Sequence, residues 1–282
     1  MGKTPLIKEI QLESIDEDLR NGLWNVYSLH ILKSIEEASS YRHSNPRTYF
    51  SNILWHDYFK QPIDKIPSFF PNVIQRIREY FFKCQWYEIY DLIEGSIHII
   101  DDDNFDIDLK ILFDDFNYVL EREFAGYRFI DQTLSPITNQ TEIEEIKEAI
   151  SLTDNFTSLK GCNFHLKDAL SKLSNRQNPD YRNSIKESVS AIESLAKIIS
   201  NSSKDSLGAS LDKIKGKIKI HSALEKGFKQ IYGYTSDSDG IRHGLMEEPT
   251  CDFEDAKFML VSCSAFINYL VAKSLKADIK FS

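Results

Sequence analysis

Apolar residues recur at three- and four-residue steps through most of this chain, a pattern that predicts a mainly α-helical protein. Leu19, Leu23, Val26, Tyr27, His30 or Ile31, and Ile35 mark a first helix over 15–35. An aromatic stretch over 49–59, with Phe50, Trp55, Tyr58 and Phe59, ends at Pro62 and Pro67, which cannot continue a helix. Residues 70–90 read as one or two helices. Pro71 suits a first helical position, and Val73, Ile74, Ile77, Phe81 and Phe82 form the apolar stripe. After the acidic turn 101–104, Leu109, Leu112, Phe113, Phe116, Val119 and Leu120 restore the helical period over 106–123.

The texture then changes. Between 126 and 138, β-branched and aromatic residues flank a short polar turn, which predicts a small hairpin of two strands. An acidic helix follows over 142–150, with Thr141 and Glu144 at capping-box spacing. We set a domain boundary after it, giving an N-terminal domain 1–153 and a helical bundle 154–282. Within the bundle, helices are predicted over 159–173, 180–199, 205–214, 221–232 and 254–273. In the second of these, Ile185, Val189, Ile192, Ala196 and Ile199 share one stripe, while Arg182, Lys186 and Glu193 fall together on a flank that can border a cleft.

A chain of 282 residues with 41% hydrophobic and 27% charged residues has the make-up of a globular protein able to form two domains. Residues 1–150 hold 15 Lys and Arg against 27 Asp and Glu, whereas residues 151–282 hold 19 against 16. The net charge of −9 argues against non-specific coating of nucleic acid. The one basic run, Lys213 to Lys219 with Lys226 and Lys229, reads as a solvated helix edge. Aromatic density in the first half reads as core, because a base-stacking platform needs basic residues interleaved with the rings.

Cys84, Cys162, Cys251 and Cys263 lack paired spacing, which fits reduced thiols in the cytoplasm. No secretory leader or membrane span is expected, the stretch 258–271 being short and broken by Ser262, Ser264 and Asn268. Cys162-x-x-His165 has no second ligand pair, and Met246 stands where a calcium loop over 235–246 would need an acid, so no metal or cofactor is expected.

The strongest chemical signal is Asp239-Gly-Ile-Arg-His-Gly244. Arginine can fork onto a phosphate and histidine can move a proton near neutral pH, so Arg242 and His243 are the candidate catalytic pair for metal-free phosphodiester chemistry. The other reading is structural, with Arg242 paired to Asp237, Asp239, Glu247 or Glu248 and His243 filling a turn.

Three stretches, 178–193, 231–244 and 255–268, resemble the helical second half of bacterial abortive-infection proteins of the AbiJ type. Gly126-Tyr-Arg-Phe-Ile-Asp131 and Pro136-Ile-Thr138 resemble the fourth class of AbiJ N-terminal domain. The second half is in turn similar to HEPN domains, helical defence and toxin modules of which many are metal-independent ribonucleases. The resemblance implies a cytoplasmic phage-defence protein, a homodimer that binds RNA or cleaves it by attack of a 2′-hydroxyl on its own phosphate. Beside Arg242 and His243, Arg182 and Glu193 are the substrate-binding candidates, Arg182 to touch a phosphate and Glu193 to orient or neutralise Arg242 across the cleft; the other reading is a structural pair of flank carboxylate and core arginine. In the HEPN motif a few residues separate the arginine from the histidine, whereas here they are adjacent. The alternative is a catalytically inactive HEPN-like module for protein interaction or regulation, with the acidic N-terminal domain as the surface for a protein partner.

Overall fold

The computed structural model describes residues 9–38, 45–102, 105, 107–236 and 251–282. The chain is mainly α-helical, with a single two-stranded sheet among the described residues. It divides into two compact units, 1–136 and 137–282.

In the first unit, α1 (Glu17–Val26) runs through a π-helical turn (Tyr27–Leu32) into α2 (Lys33–Glu37). The sequence explains that turn. Leu19, Leu23, Tyr27, Ile31 and Ile35 are spaced four apart and all fully buried. On a pure α-helix such a series drifts about 40° per step. The wider π turn, bonded i to i+5, takes up the drift and keeps the stripe on the core. The same device recurs where α3 (Pro46–Ile53) passes into a π turn (Leu54–Tyr58), which Lys60 closes with a left-handed φ of 50°.

Helix α4 (Phe70–Phe81) starts on Phe70, with Pro71 at its second position, one later than expected but still in the first turn, where a proline's missing N–H costs nothing; Phe82 to Gln85 separate it from α5 (Trp86–Asp102). Helix α6 (Leu109–Arg122) is capped by Asp108. The predicted hairpin is present as β1 (Arg128–Ile130) and β2 (Thr133–Ser135), with Asp131 at φ 52° in its turn. Asn117 docks it on α6 by imitating a strand edge: its amide donates to the Phe129 carbonyl at 3.0 Å and accepts from the Phe129 amide at 2.7 Å. Trp24, Tyr27, Phe81 and Phe82 form an aromatic core cluster, as the sequence implied.

The second unit is a bundle of α7 (Gln140–Asp154), α8 (Lys160–Ser174), α9 (Tyr181–Ser200), α10 (Leu207–Ile214), α11 (Ser222–Ser236) and α12 (Phe253–Lys276). The five stripe residues expected on α9 are all buried. The α7 cap differs from the expected Thr141: Asn139 accepts from the amides of Thr141 and Glu142, an Asn oxygen reaching those donors two residues earlier. Helix α7 also lies on the far side of the contact division from where a boundary at 153/154 puts it. Ile143, Ile146 and Ile150 pack it against α8 and α12. Among the described helices α12 alone is long and apolar enough to cross a bilayer, and 56% of its apolar window is buried inside the protein.

Candidate functional site

The first turns of α9 and α12 lie together. Asp180 caps α9 by accepting from the Asn183 amide at 3.0 Å, and its own amide donates to the Lys172 carbonyl at 3.1 Å, which closes the α8–α9 turn. Asp252 and Asp255 form a reciprocal capping box at the start of α12. Tyr181 meets Phe253 edge-on, with ring centroids 6.2 Å apart. Arg182 therefore reaches the electrostatic surroundings of Cys251. Burial holds that thiol above its ordinary range, the Asp255 carboxylate adds to the rise, and the Arg182 guanidinium opposes it. A cation in the first turn of a helix opposes the helix dipole, at a cost of about 0.3–1 kcal/mol. Asp180 caps that helix end, so the guanidinium is the group that α9 adds here that can fork onto a phosphate.

Helix α11 packs along the same flank of α9. Phe228 stacks on Phe266 with centroids 3.3 Å apart, and Val189, Ile192, Tyr232 and Cys263 line the same apolar seam. Behind it, Glu225 is buried and paired with both Lys215 and Lys229. Lys213 pairs with Asp205 at 2.6 Å, and Lys229 also with Asp212 at 2.8 Å. Lys217 donates to the Ile199 carbonyl at 2.7 Å. Much of the basic run is thus engaged within its own hairpin, in keeping with the helix-edge reading.

Arg242 and His243 lie outside the described residues. The segment that carries them joins Ser236, the last residue of α11, to Cys251, two residues before α12. Arg182 stands at one foot of that segment. Glu193 shares the flank of α9 with Arg182, but eleven residues of helix put about 16 Å between them along the axis.

His165 is elsewhere. Its Nδ1 is 2.6 Å from Glu187 Oε2, and Glu187 lies about 140° around α9 from Arg182. Cys162 is buried, with its thiol pushed up to about 12 by desolvation. Among the described residues no three of His, Cys, Asp and Glu come together to hold a metal ion.

The model of the family described as AbiJ N-terminal domain 4 matches residues 1–152. The chain belongs to the AbiJ N-terminal domain 4 family. No curated protein and no solved structure matches it. Membership sets the chain in the context of abortive infection, the bacterial defence against phage. The AbiJ match extends through most of α7, so the matched region spans a helix whose core contacts belong to the second unit. The sequence supplied the AbiJ motifs; it gave no sign that Arg182 and Cys251 would be neighbours.

Proposed function

We propose that this AbiJ-family chain defends against phage by acting on RNA through its second, HEPN-like unit, as a metal-independent endoribonuclease. Arg242 and His243 are the reacting pair. One observation carries the reading: the first turn of α9, which bears Arg182, packs on the start of α12 through Tyr181 and Phe253, two residues from the end of the segment that bears the pair. A phosphate bound at Arg182 is held within reach of that segment. The 2′-hydroxyl oxygen then attacks the adjacent phosphorus while the imidazole takes its proton. The phosphorus–5′-oxygen bond breaks, and the leaving oxygen is protonated, giving a 2′,3′-cyclic phosphate and a 5′-hydroxyl end. Arg242 binds the negative charge that develops on the phosphoryl oxygens. The working form is a homodimer joined along α9 or α12, where Phe258 is 59% exposed.

The test is cleavage of total and transfer RNA in chelator by the wild-type protein, Arg242→Ala, His243→Ala and Arg182→Ala. Cyclic-phosphate ends, a loss of about 100-fold or more in the first two variants, and weaker salt-sensitive binding in the third are the expected results. Binding without cleavage by a folded dimer rejects the nuclease in favour of the inactive module. Absence of RNA binding at low salt rejects both, and a strictly monomeric mass at micromolar concentration rejects the dimer.

A further inference from the structure

The first unit carries a notch of about 260 Å³ whose chemistry is that of a nucleotide site. Its lining combines the half-buried rings of Phe59 and Tyr80, backed by the buried Trp55, with the side-chain amide of Gln61 and two exposed cations, Arg76 and Lys83. Three structural features build it. The π-helical turn Leu54–Tyr58 brings Trp55, Tyr58 and Phe59 to one side of the helix, and such wide turns occur frequently at functional sites. Lys60, in its left-handed conformation, then reverses the chain so that the Gln61 backbone N–H donates to the Trp55 carbonyl at 2.9 Å. Opposite, Arg76, Glu79, Tyr80 and Lys83 follow the i, i+3, i+4, i+7 spacing of one face of α4 and the turn beyond it.

The rings are fixed in place. Phe59 meets Trp55, Tyr58 and Tyr80 edge-on, with centroids 5.0–5.2 Å apart. The Tyr80 hydroxyl donates to Glu88 at 3.1 Å and Tyr58 donates to the Glu88 carbonyl at 2.6 Å, which fixes both phenols from behind. The cations are held loosely. Arg76 lies 3.8 Å from Glu79, with both side chains well exposed, so a doubly charged phosphate competes easily for the guanidinium. The notch is smaller than the roughly 300–1,000 Å³ of drug-sized pockets, so it suits one nucleoside with its phosphate at the rim. Two cations at one aromatic notch also stand out in a half of the chain where acids outnumber bases by 27 to 15.

We propose that this notch binds a single ribonucleoside 5′-phosphate, either free or at the end of an RNA strand, and that the AbiJ-type unit is a nucleotide sensor. The base lies on Phe59 and Tyr80, Gln61 bonds its polar edge, Glu79 accepts from a ribose hydroxyl, and Arg76 with Lys83 holds the phosphate. The site is separate from the residues proposed for cleavage.

Isothermal titration calorimetry of the full chain tests this with the four ribonucleoside 5′-monophosphates, adenosine, inorganic phosphate and a 5′-phosphorylated ribotrinucleotide. At least one nucleotide is expected to bind with Kd below about 1 mM, and about tenfold more tightly than its nucleoside or inorganic phosphate. Arg76→Ala/Lys83→Ala changes only exposed side chains, so it keeps the native circular dichroism while weakening that binding about tenfold. Arg182→Ala leaves it unchanged, which separates this site from the RNA site of the second unit. Tighter binding of the trinucleotide assigns the ligand to an RNA end, and equal or weaker binding to a free nucleotide. Failure of every nucleotide to bind at millimolar concentration overturns the proposal, as does binding that the double variant leaves intact.

Discussion

Removing α7 from the second unit is predicted to unfold it. The two fragments to compare are 137–282, which keeps the helix, and 154–282, which lacks all but its last residue. Ile143, Ile146 and Ile150 are at most 4% exposed, and their contacts are with α8 and α12. At about 1.5–3 kcal/mol for each fully buried isoleucine, the three contribute about 5–9 kcal/mol. The fragment also loses the acceptors of four side-chain hydrogen bonds: Asn163 donates to the Ile150 carbonyl at 2.8 Å and to Thr153 Oγ1 at 3.0 Å, and Asn268 donates to the Glu145 carbonyl and carboxylate, each at 3.0 Å. Domains of this size are stable by only about 5–15 kcal/mol, so the loss takes most or all of the margin. Urea unfolding followed by circular dichroism is the assay. Fragment 137–282 should give one cooperative transition, and 154–282 a shallow one or none, with loss of its near-ultraviolet signal. Equal midpoints and slopes would refute the assignment of α7 to the second unit's core.

Three further outcomes follow from the packing. Gly22→Ala should destabilise the first unit by about 1–2 kcal/mol, although helix propensity alone favours alanine by about 1 kcal/mol. The added methyl meets Val119 Cγ1 at 2.6 Å where α1 crosses α6, and a higher urea midpoint would contradict that contact. In the native protein at pH 8, burial keeps Cys162, with its pKa near 12, and Cys263, also raised, as thiols. Mass spectrometry after iodoacetamide should find them unlabelled long after the partly exposed Cys251 has reacted; equal rates would contradict the burial. The Asp212 carboxylate is held below its ordinary range by Lys229, so the pair stabilises the α10–α11 hairpin above the unfolded-state pKa and weakens as pH falls through the folded one. Asp212→Asn should flatten that part of the acid unfolding curve, and an unchanged acid profile would exclude a contribution from this exposed pair.

What could be read from the residues alone was whatever depends on neighbours along the chain. Helical periodicity located most helices because an apolar stripe reports which face is buried without naming its partner. The hairpin over 128–135 announced itself in its β-branched and aromatic texture, and Gly126-Tyr-Arg-Phe-Ile-Asp131 carried the resemblance to the AbiJ N-terminal class. Arg242 and His243 stood out as a chemical pair by adjacency. Their geometry requires more than adjacency, and both lie outside the described residues.

Tertiary structure decided the rest, because it joins residues that sequence distance keeps apart. The four-residue spacing from Leu19 to Ile35 already encoded a drift, but only packing against a core shows that a π turn absorbs it. The sequence reading sets the acidic helix in the N-terminal domain 1–153, whereas α7 packs on α12 and α8 within the second unit. Arg182 and Glu193 share a flank in a helical projection, which ignores the 1.5 Å rise per residue that separates them. The aromatic stretch 49–59 lacks interleaved bases and reads as core, yet folding brings Arg76 and Lys83 to Trp55 and Phe59 from α4 and the turn beyond it. A sequence pattern records which side of an element is apolar; which distant charges meet that side is set only when the elements pack.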